Sequence, residues 1–337
     1  MEKIIDIRFD ENKSVPKYRQ IIDAVAAKIK KGELKKGDRI PSLNMLCRQY
    51  KLSQDTVMTA YNEMKAKGII TAQVGKGYYI QNTQVDVGHK VLLLFDKLTA
   101  YKEDLYDAFK TSLQGQGTEQ IFFHHNNLKL FQTILESANG EFSEYVIMPM
   151  PGKEAATIIS ELPKRKVYIL DQGREEYRTK YPYVCQDFER DIYRMLRQHS
   201  DELDRYKRIV LAVKNQRTTL REIATGFKDF CLRKSAYHAI STDIRAEQIQ
   251  AGDLFIVVDD KDLEYLVRYA MDHHLKLGTE LGIISYNESS IKGIVSTGIT
   301  TISTDFAQMG KSMAEMILNN KREKTDNPFV INRRSSF

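Results

Sequence analysis

Two hydrophobic rhythms divide the chain. Between Val15 and Leu34 the side chains of Ile21, Ile22, Val25, Ala26 and Ile29 recur at the spacing of one helical face. Pro16 suits the first turn of that helix, Lys28, Lys30 and Lys31 suit its last, and Gly32 is a good stop. After a basic turn at Gly37-Asp38, Ser42 reads as the N-cap of a short helix with Leu43, Leu46 and Cys47 inward. Leu52-Ser53 is the next turn, and Ser53 caps a third helix whose inner face is Val57, Ala60, Tyr61 and Met64. Two helices joined by so short a turn form a helix-turn-helix. Past Gly68, IITAQVGKGYYI reads as two short strands folded about Gly75-Lys76-Gly77.

QNTQVDVGHK, residues 81–90, is polar and short and reads as a linker. Beyond it the rhythm changes. VLLLFD at 91–96 is a buried strand, the segment after it a helix with Leu105, Phe109 and Leu113 inward, and EQIFFHH, EYVIMPM and RKVYILD are further strands separated by helices. The alternation resumes with RIVLAVK at 208–214, the TTLREIATGFKDFCLRK helix, a weak strand at YHAIST, a DLFIVVDD strand, a helix and a LGIISYN strand. Strand and helix in alternation argue parallel, doubly wound sheets, and two such series argue two α/β lobes.

Charge sharpens this division. The 337 residues carry a formal net charge of +6, but residues 1–82 hold 16 Lys and Arg against 9 Asp and Glu, whereas residues 83–337 hold 35 against 36. All the excess positive charge lies in the first quarter, the footprint of a small polyanion-binding module carried on a neutral body. No apolar run approaches the ~20 residues needed to span a bilayer. The acidic, weakly apolar start is no secretory signal, so a cytoplasmic location without membrane contact is expected. Cys47, Cys185 and Cys231 are distant from one another and lack metal-ligand spacing, so they read as buried thiols. The pairs His124-His125 and His273-His274 place adjacent rings apart and read as solvated histidines, not metal ligands.

Gly32-x-Leu34, Gly37-Asp38-Arg39-Ile40-Pro41-Ser42, Leu52-Ser53-x-x-Thr56-Val57, Gly68-Ile69-Ile70 and Gly75-x-Gly77 stand in the order and spacing of a known head. Over about 65 residues the chain resembles the N-terminal winged helix-turn-helix of the GntR family of bacterial transcription regulators. The resemblance implies double-stranded operator DNA as partner and Arg39, Ser42, Asn44, Ser53, Gln54, Thr56, Gly75 and Lys76 as its contacts. Three positions that commonly carry arginine in that family are here Asn44, Gln54 and Met58. Asn and Gln pair bidentately with adenine where Arg prefers guanine, so the half-site is expected to be richer in A·T pairs. Lys76, between two glycines at the wing tip, is expected to reach the minor groove or its phosphates.

The segments Leu281 to Asn287, Gly298 to Ser303, the helix through Met309-Gly310 and Met313-Ala314, and Phe329 to Ser336 resemble the periplasmic-binding-protein-like effector domain of the LacI family. That family binds small polar molecules, mostly sugars, between its lobes. Carried over position by position, the resemblance implies Asp171, Asp259 and Asn287 as ligand contacts. Lys97 and Tyr101 would face the cleft mouth, with Tyr101 as the aromatic platform in a chain without tryptophan. The family's usual arginine is replaced by Ile223, with Arg221 as a substitute, and a position often polar is Pro149.

The expected fold is therefore an α+β winged helix-turn-helix head, residues 1–80, a linker at 81–90, and a two-lobed α/β periplasmic-binding-protein-like domain of parallel doubly wound sheets at 91–337. Lobe 1 is expected to comprise residues 90–182 with 299–322, and lobe 2 the rest. The expected function is a homodimeric regulator without cofactor or metal, controlled by a monosaccharide such as a pentose or deoxyhexose. Two alternatives stand beside it: a DNA-binding regulator without a small effector, and a GntR head fused to an enzyme-like domain. Against the last, the chain shows no nucleophile elbow, glycine-rich phosphate loop or pyridoxal-phosphate lysine setting.

Overall fold

The computed structural model describes residues 7, 9, 16–83, 89–113, 115–214, 218–296 and 298–337; residues 84–88, half of the expected linker, lie outside the described residues. The head comprises helices α1 (Lys17–Lys30), α2 (Leu43–Tyr50) and α3 (Gln54–Ala66) and strands β1 (Arg39–Ile40), β2 (Ile70–Gln73) and β3 (Gly77–Ile80). Its core is what the periodicity predicts: Ile21, Ile22, Val25 and Ile29 of α1 pack with Leu46, Val57, Ala60, Tyr61 and Met64. The hairpin β2–β3 is antiparallel, Ile70 opposite Ile80 and Gln73 opposite Gly77, and β1 adds a third strand on β3.

The body continues as β4 (His89–Phe95), α4 (Ala100–Leu113), β5 (Gly117–Phe123), α5 (Leu128–Ala138), β6 (Glu144–Ile147), α6 (Lys153–Ser160), β7 (Val167–Asp171), α7 (Arg174–Tyr177), β8 (Tyr183–Cys185), α8 (Phe188–Gln198), α9 (Ser200–Leu203), β9 (Arg208–Ala212) and α10 (Thr218–Lys234). It ends with β10 (His238–Ser241), β11 (Asp253–Val257), α11 (Asp260–Asp272), β12 (Leu281–Tyr286), α12 (Ser290–Ile294), β13 (Thr300–Thr304), α13 (Phe306–Leu318), β14 (Lys324–Asp326) and β15 (Phe329–Asn332).

Two six-stranded sheets result, ordered β14-β8-β7-β6-β4-β5 and β10-β9-β11-β12-β13-β15. Within the second, β11 pairs in parallel with both β9 and β12, so its Leu254, Phe255 and Ile256 are buried on both faces and read as a continuous apolar run. The last strand, β15, runs antiparallel to β13, with Thr301 opposite Asn332.

Two sequence expectations need correction. Residues 300–304 belong to the second sheet, not to lobe 1, because β13 continues the parallel register of β12, Ile284 opposite Thr300; the return to the first sheet comes only with β14, beside β8. His124 is not solvated: it is fully buried, edge-on to Phe131, with Nε2 3.1 Å from the Met148 carbonyl. A periodic pattern carries no signal for a polar side chain whose partner is a backbone carbonyl.

Contacts divide the chain into two compact units. The first comprises Met1–Lys97, Leu113–Tyr168 and Ile317–Lys321; the second comprises Leu98–Ser112, Ile169–Met316 and Arg322–Phe337. In the second, α10 packs so tightly on α8 that a Cβ on Gly226 would stand 2.0 Å from the Glu189 carbonyl oxygen.

Candidate nucleic-acid interface and ligand site

In the head, each recognition element begins with a side-chain cap. Ser42 Oγ accepts from the Met45 amide at 3.3 Å, and Ser53 Oγ accepts from the Thr56 amide at 3.3 Å, satisfying donors that a helix start leaves open. The hydroxyls of Ser53 and Thr56 lie 2.8 Å apart, so the structure brings these two predicted contacts together as one capping pair. Gln54, the first residue of α3, and Asn44, on the first turn of α2, are exposed.

At the wing, Gly75 and Gly77 take φ of +71° and +108°, conformations that side chains rarely adopt. Gly77 has a second reason to lack a Cβ, which would lie 3.2 Å from Arg39 Nε. Arg39 and the wing tip thus meet, and both Arg39 and Lys76 are exposed. Sequence reading missed two features of this tip. The Tyr79 hydroxyl donates to the Lys76 carbonyl at 3.2 Å, and Val74 beside it is fully exposed.

The ligand candidates fare differently. Asp171 ends β7 at φ +68° and is buried; Gln186 Nε2 donates to its Oδ1 at 2.6 Å, and the buried Lys102 ammonium stands 3.6 Å from Oδ2. Lys102 and Gln186 were not legible as site residues, because nothing in their local pattern marks them as partners of a distant carboxylate. Tyr101 lies against Phe306, centroids 4.7 Å apart and planes at 30°. Asp259 caps α11, its Oδ1 accepting from the Lys261 amide at 2.8 Å. Asn287 has φ +61°; its amide donates to the Ile302 carbonyl at 2.8 Å, and its own carbonyl accepts from the buried Lys292 at 2.9 Å. Arg221, on α10, and Lys97 are exposed, and Lys97 closes the first unit while the other five candidates lie in the second. Ile223 is buried in the hydrophobic core, which explains why an arginine is not accommodated there.

A cavity of about 420 Å³ opens within the second unit, lined by Arg174, Gln186, Asp187, Phe188, Tyr193 and Glu222 among others. None of the six predicted ligand contacts lines it; Gln186, bonded to Asp171, connects the two regions, and Glu222 directly follows Arg221. Arg174 Nε donates to Asp326 Oδ1 at 2.6 Å and Nη2 stands 3.4 Å from Asp187, and the Asp326 bond raises its pKa. Burial, then the charges of Asp187, Glu189 and Glu175, raise the pKa of Glu222. The neighbouring Asp191 is pushed up to about 7, chiefly by burial. The cavity thus offers carboxylates, an amide, two guanidinium groups and two aromatic rings, the mixed donors and flat faces that hold a small polar molecule.

A capped helix-turn-helix, a hairpin wing and a sheet-built body with a polar cavity define a winged helix-turn-helix protein with an α/β body. Residues 17–80 match the bacterial regulatory proteins of the gntR family, and residues 204–336 match the periplasmic binding protein-like domain. The HTH-type transcriptional repressor YtrA of Bacillus subtilis (strain 168) is 35% identical over 99 residues, which cover 29% of this chain and 72% of YtrA. The HTH-type transcriptional regulator YdfD of the same organism is 40% identical over 70 residues, 21% of this chain, and the chain spans only 14% of YdfD's length. Among solved structures, the trehalose repressor from Escherichia coli superposes with a TM-score of 0.61 at 11% identity, covering 72% of this chain and 99% of that one, a likeness of fold. The chain belongs to the gntR family of bacterial regulatory proteins: it is a transcriptional regulator with a winged helix-turn-helix head and a periplasmic-binding-protein-like body. Among the described residues no helix is long and apolar enough to cross a membrane.

Proposed function

We propose that two copies of this chain bind a pseudo-palindromic operator and that a small polar ligand, held by the body, sets their affinity for it. The observation that carries the DNA half is the exposure of Gln54 at the capped start of α3, with Asn44 on α2 and Arg39 and Lys76 at the wing. A duplex groove admits a helix end with two amides and a basic wing, and amides select adenine. Ser53 and Thr56, already paired, are left to receive a phosphate.

The cavity carries the sensing half. Asp187 and Glu222 accept from hydroxyls, Gln186 both donates and accepts, and Tyr193 and Phe188 offer ring faces, which is the chemistry of carbohydrate recognition. The name of the trehalose repressor, similar in fold, points the same way. The role is regulation and not catalysis. Coupling between ligand and operator is reciprocal: each changes the other's affinity by one and the same factor.

A thermal-shift screen of free sugars, sugar phosphates and nucleosides tests the sensing half. A ligand at a hundredfold excess over its Kd stabilises the folded chain by about 2.7 kcal/mol, which a melting curve resolves. The expected outcome is a shift by a neutral sugar that Tyr193→Ala and Glu222→Gln abolish. A shift abolished instead by Asn287→Ala alone assigns the ligand to the Asp171, Asp259 and Asn287 set, and a silent panel removes the sensing half of the proposal.

A further inference from the structure

The end of α3 remote from Gln54 carries contacts that DNA recognition does not use. The Lys65 ammonium forms an ion pair with Glu141, in the turn between α5 and β6, and both lie in the first compact unit. One helical turn earlier, Asn62 Cγ would lie 3.5 Å from a Cβ on Gly140, so the helix rests against the backbone of that turn. Between them Glu63, which accepts from Arg19 Nη1 at 2.8 Å, acts electrostatically on Lys166 of the body. Lys65 and Asn62 of the recognition helix thus meet the turn at Gly140 and Glu141.

The turn they meet is stiff. Gly140, at φ +84°, donates its amide to the Tyr145 hydroxyl at 2.9 Å, and that hydroxyl donates to the Ala138 carbonyl at 2.9 Å. Phe142 is buried with the Lys90 ammonium 4.8 Å from its ring centre, and Lys166 Nζ donates to its carbonyl at 3.2 Å. Burial, the largest cause, holds the pKa of Lys166 below the ordinary lysine value, against the opposing charges of Glu63 and Glu144.

We propose that Glu141, with the Gly140 backbone beside it, positions the head for operator recognition: through Lys65 and Asn62 this turn clasps the body end of α3 and thereby fixes the orientation of its base-reading end. The inference rests on the DNA-binding reading of Gln54. A 13-residue helix is a rod of about 20 Å, so a rotation imposed at Lys65 is delivered undiminished at Gln54. The Lys65–Glu141 ion pair is half-buried at the protein surface, and such a pair adds little stability, which suits a clasp that must open and not a strut that only stabilises. In a two-headed regulator the half-site spacing is a geometric condition, so head orientation alters affinity for two half-sites together and not for one.

The test compares wild type, Glu141→Lys, which sets two ammonium groups face to face, and the swap Lys65→Glu with Glu141→Lys, which restores attraction. Small-angle scattering of the free proteins is read first, then anisotropy on a duplex selected from a random pool by the wild-type chain and on its single half-site. Glu141→Lys is expected to raise the radius of gyration and to weaken two-half-site binding about tenfold, within the usual range of coupling. Single-half-site binding is expected to hold, and the swap to restore both quantities. Unchanged scattering in Glu141→Lys, or a swap that restores neither quantity, overturns the clasp. Absence of DNA binding by the wild type with scattering that does respond overturns the DNA-binding reading instead, since scattering needs no operator.

Discussion

The ring of Tyr61, in the middle of the recognition helix, meets that of Tyr78 in the wing edge-on, centroids 4.8 Å apart and planes at 87°, while its hydroxyl donates to the Pro41 carbonyl ahead of α2. One fully buried side chain thereby ties together the recognition helix, the wing and the start of the first helix of the motif. Tyr61→Phe keeps the ring contact and strands a buried carbonyl, a loss expected at about 1–3 kcal/mol. Tyr61→Ala adds a cavity and is expected to cost about 3–5 kcal/mol. Denaturant unfolding of both variants checks the ordering; equal losses would mean that the hydroxyl alone matters.

Gln54 is expected to read adenine. Gln54→Ala should lose about 1–3 kcal/mol of discrimination at one base pair per half-site, a change visible when selected duplexes are compared with single-base variants. Lys76→Ala should act differently, weakening all sequences alike and reducing the slope of log affinity against log salt by about 1. A Lys76→Ala variant with altered base preference and an unchanged slope would move the wing from phosphate contact to base readout.

The head was legible because its folding signals are local. Ser42 and Ser53 each cap a helix through an amide three residues along the chain, and Gly75 and Gly77 bend the backbone where they stand. The strand-helix alternation of the body was legible for the same reason. The surroundings of Asp171 were not, since Lys102 and Gln186 reach it from 69 and 15 residues away, and the Asp259 side chain turned out to serve a helix start. The cavity was missed because its lining comes from α7, α8 and α10, whose surface residues show no pattern that distinguishes a cavity wall from solvent. The carry-over from the effector-domain resemblance favoured strand ends, and Asp187, Tyr193 and Glu222 stand on helices or beside them.

Gly226 is expected to be intolerant of the smallest side chain. In a helix interior Gly→Ala ordinarily stabilises by about 1 kcal/mol, since alanine has less backbone freedom to lose. Here the new methyl would stand 2.0 Å from the Glu189 carbonyl oxygen and 2.7 Å from Ile192 Cγ2, so α8 and α10 must part. Overpacking of this kind costs about 1–3 kcal/mol or more and reverses the sign. Because both helices line the cavity, Gly226→Ala should also remove any ligand-induced thermal shift; calorimetry with and without the ligand checks both effects, and a raised melting temperature would refute the packing argument.

Asp191 gives the body a pH dependence of definite sign. Its Oδ2 accepts from the Asp187 amide at 3.1 Å, burial is the main cause of its raised pKa, Asp187 and Asp326 add repulsion, and Arg194 opposes them. With a folded-state pKa of about 7 against an ordinary value of 3.8, the folded chain keeps the proton after the unfolded chain has released it. Below about pH 4 both states are protonated and Asp191 has no effect. Between about pH 4 and 7 the folded state binds more protons than the unfolded state, so this group lowers stability steadily as pH rises, and above about 7 the loss is complete and constant. Asp191→Asn can still accept from the Asp187 amide and carries no charge, so its advantage over wild type should be absent at about pH 4, grow through about pH 7 and then level. Unfolding midpoints of the two proteins across that range measure the difference directly; an advantage that does not change with pH would mean that Asp191 titrates at its ordinary value in the folded chain.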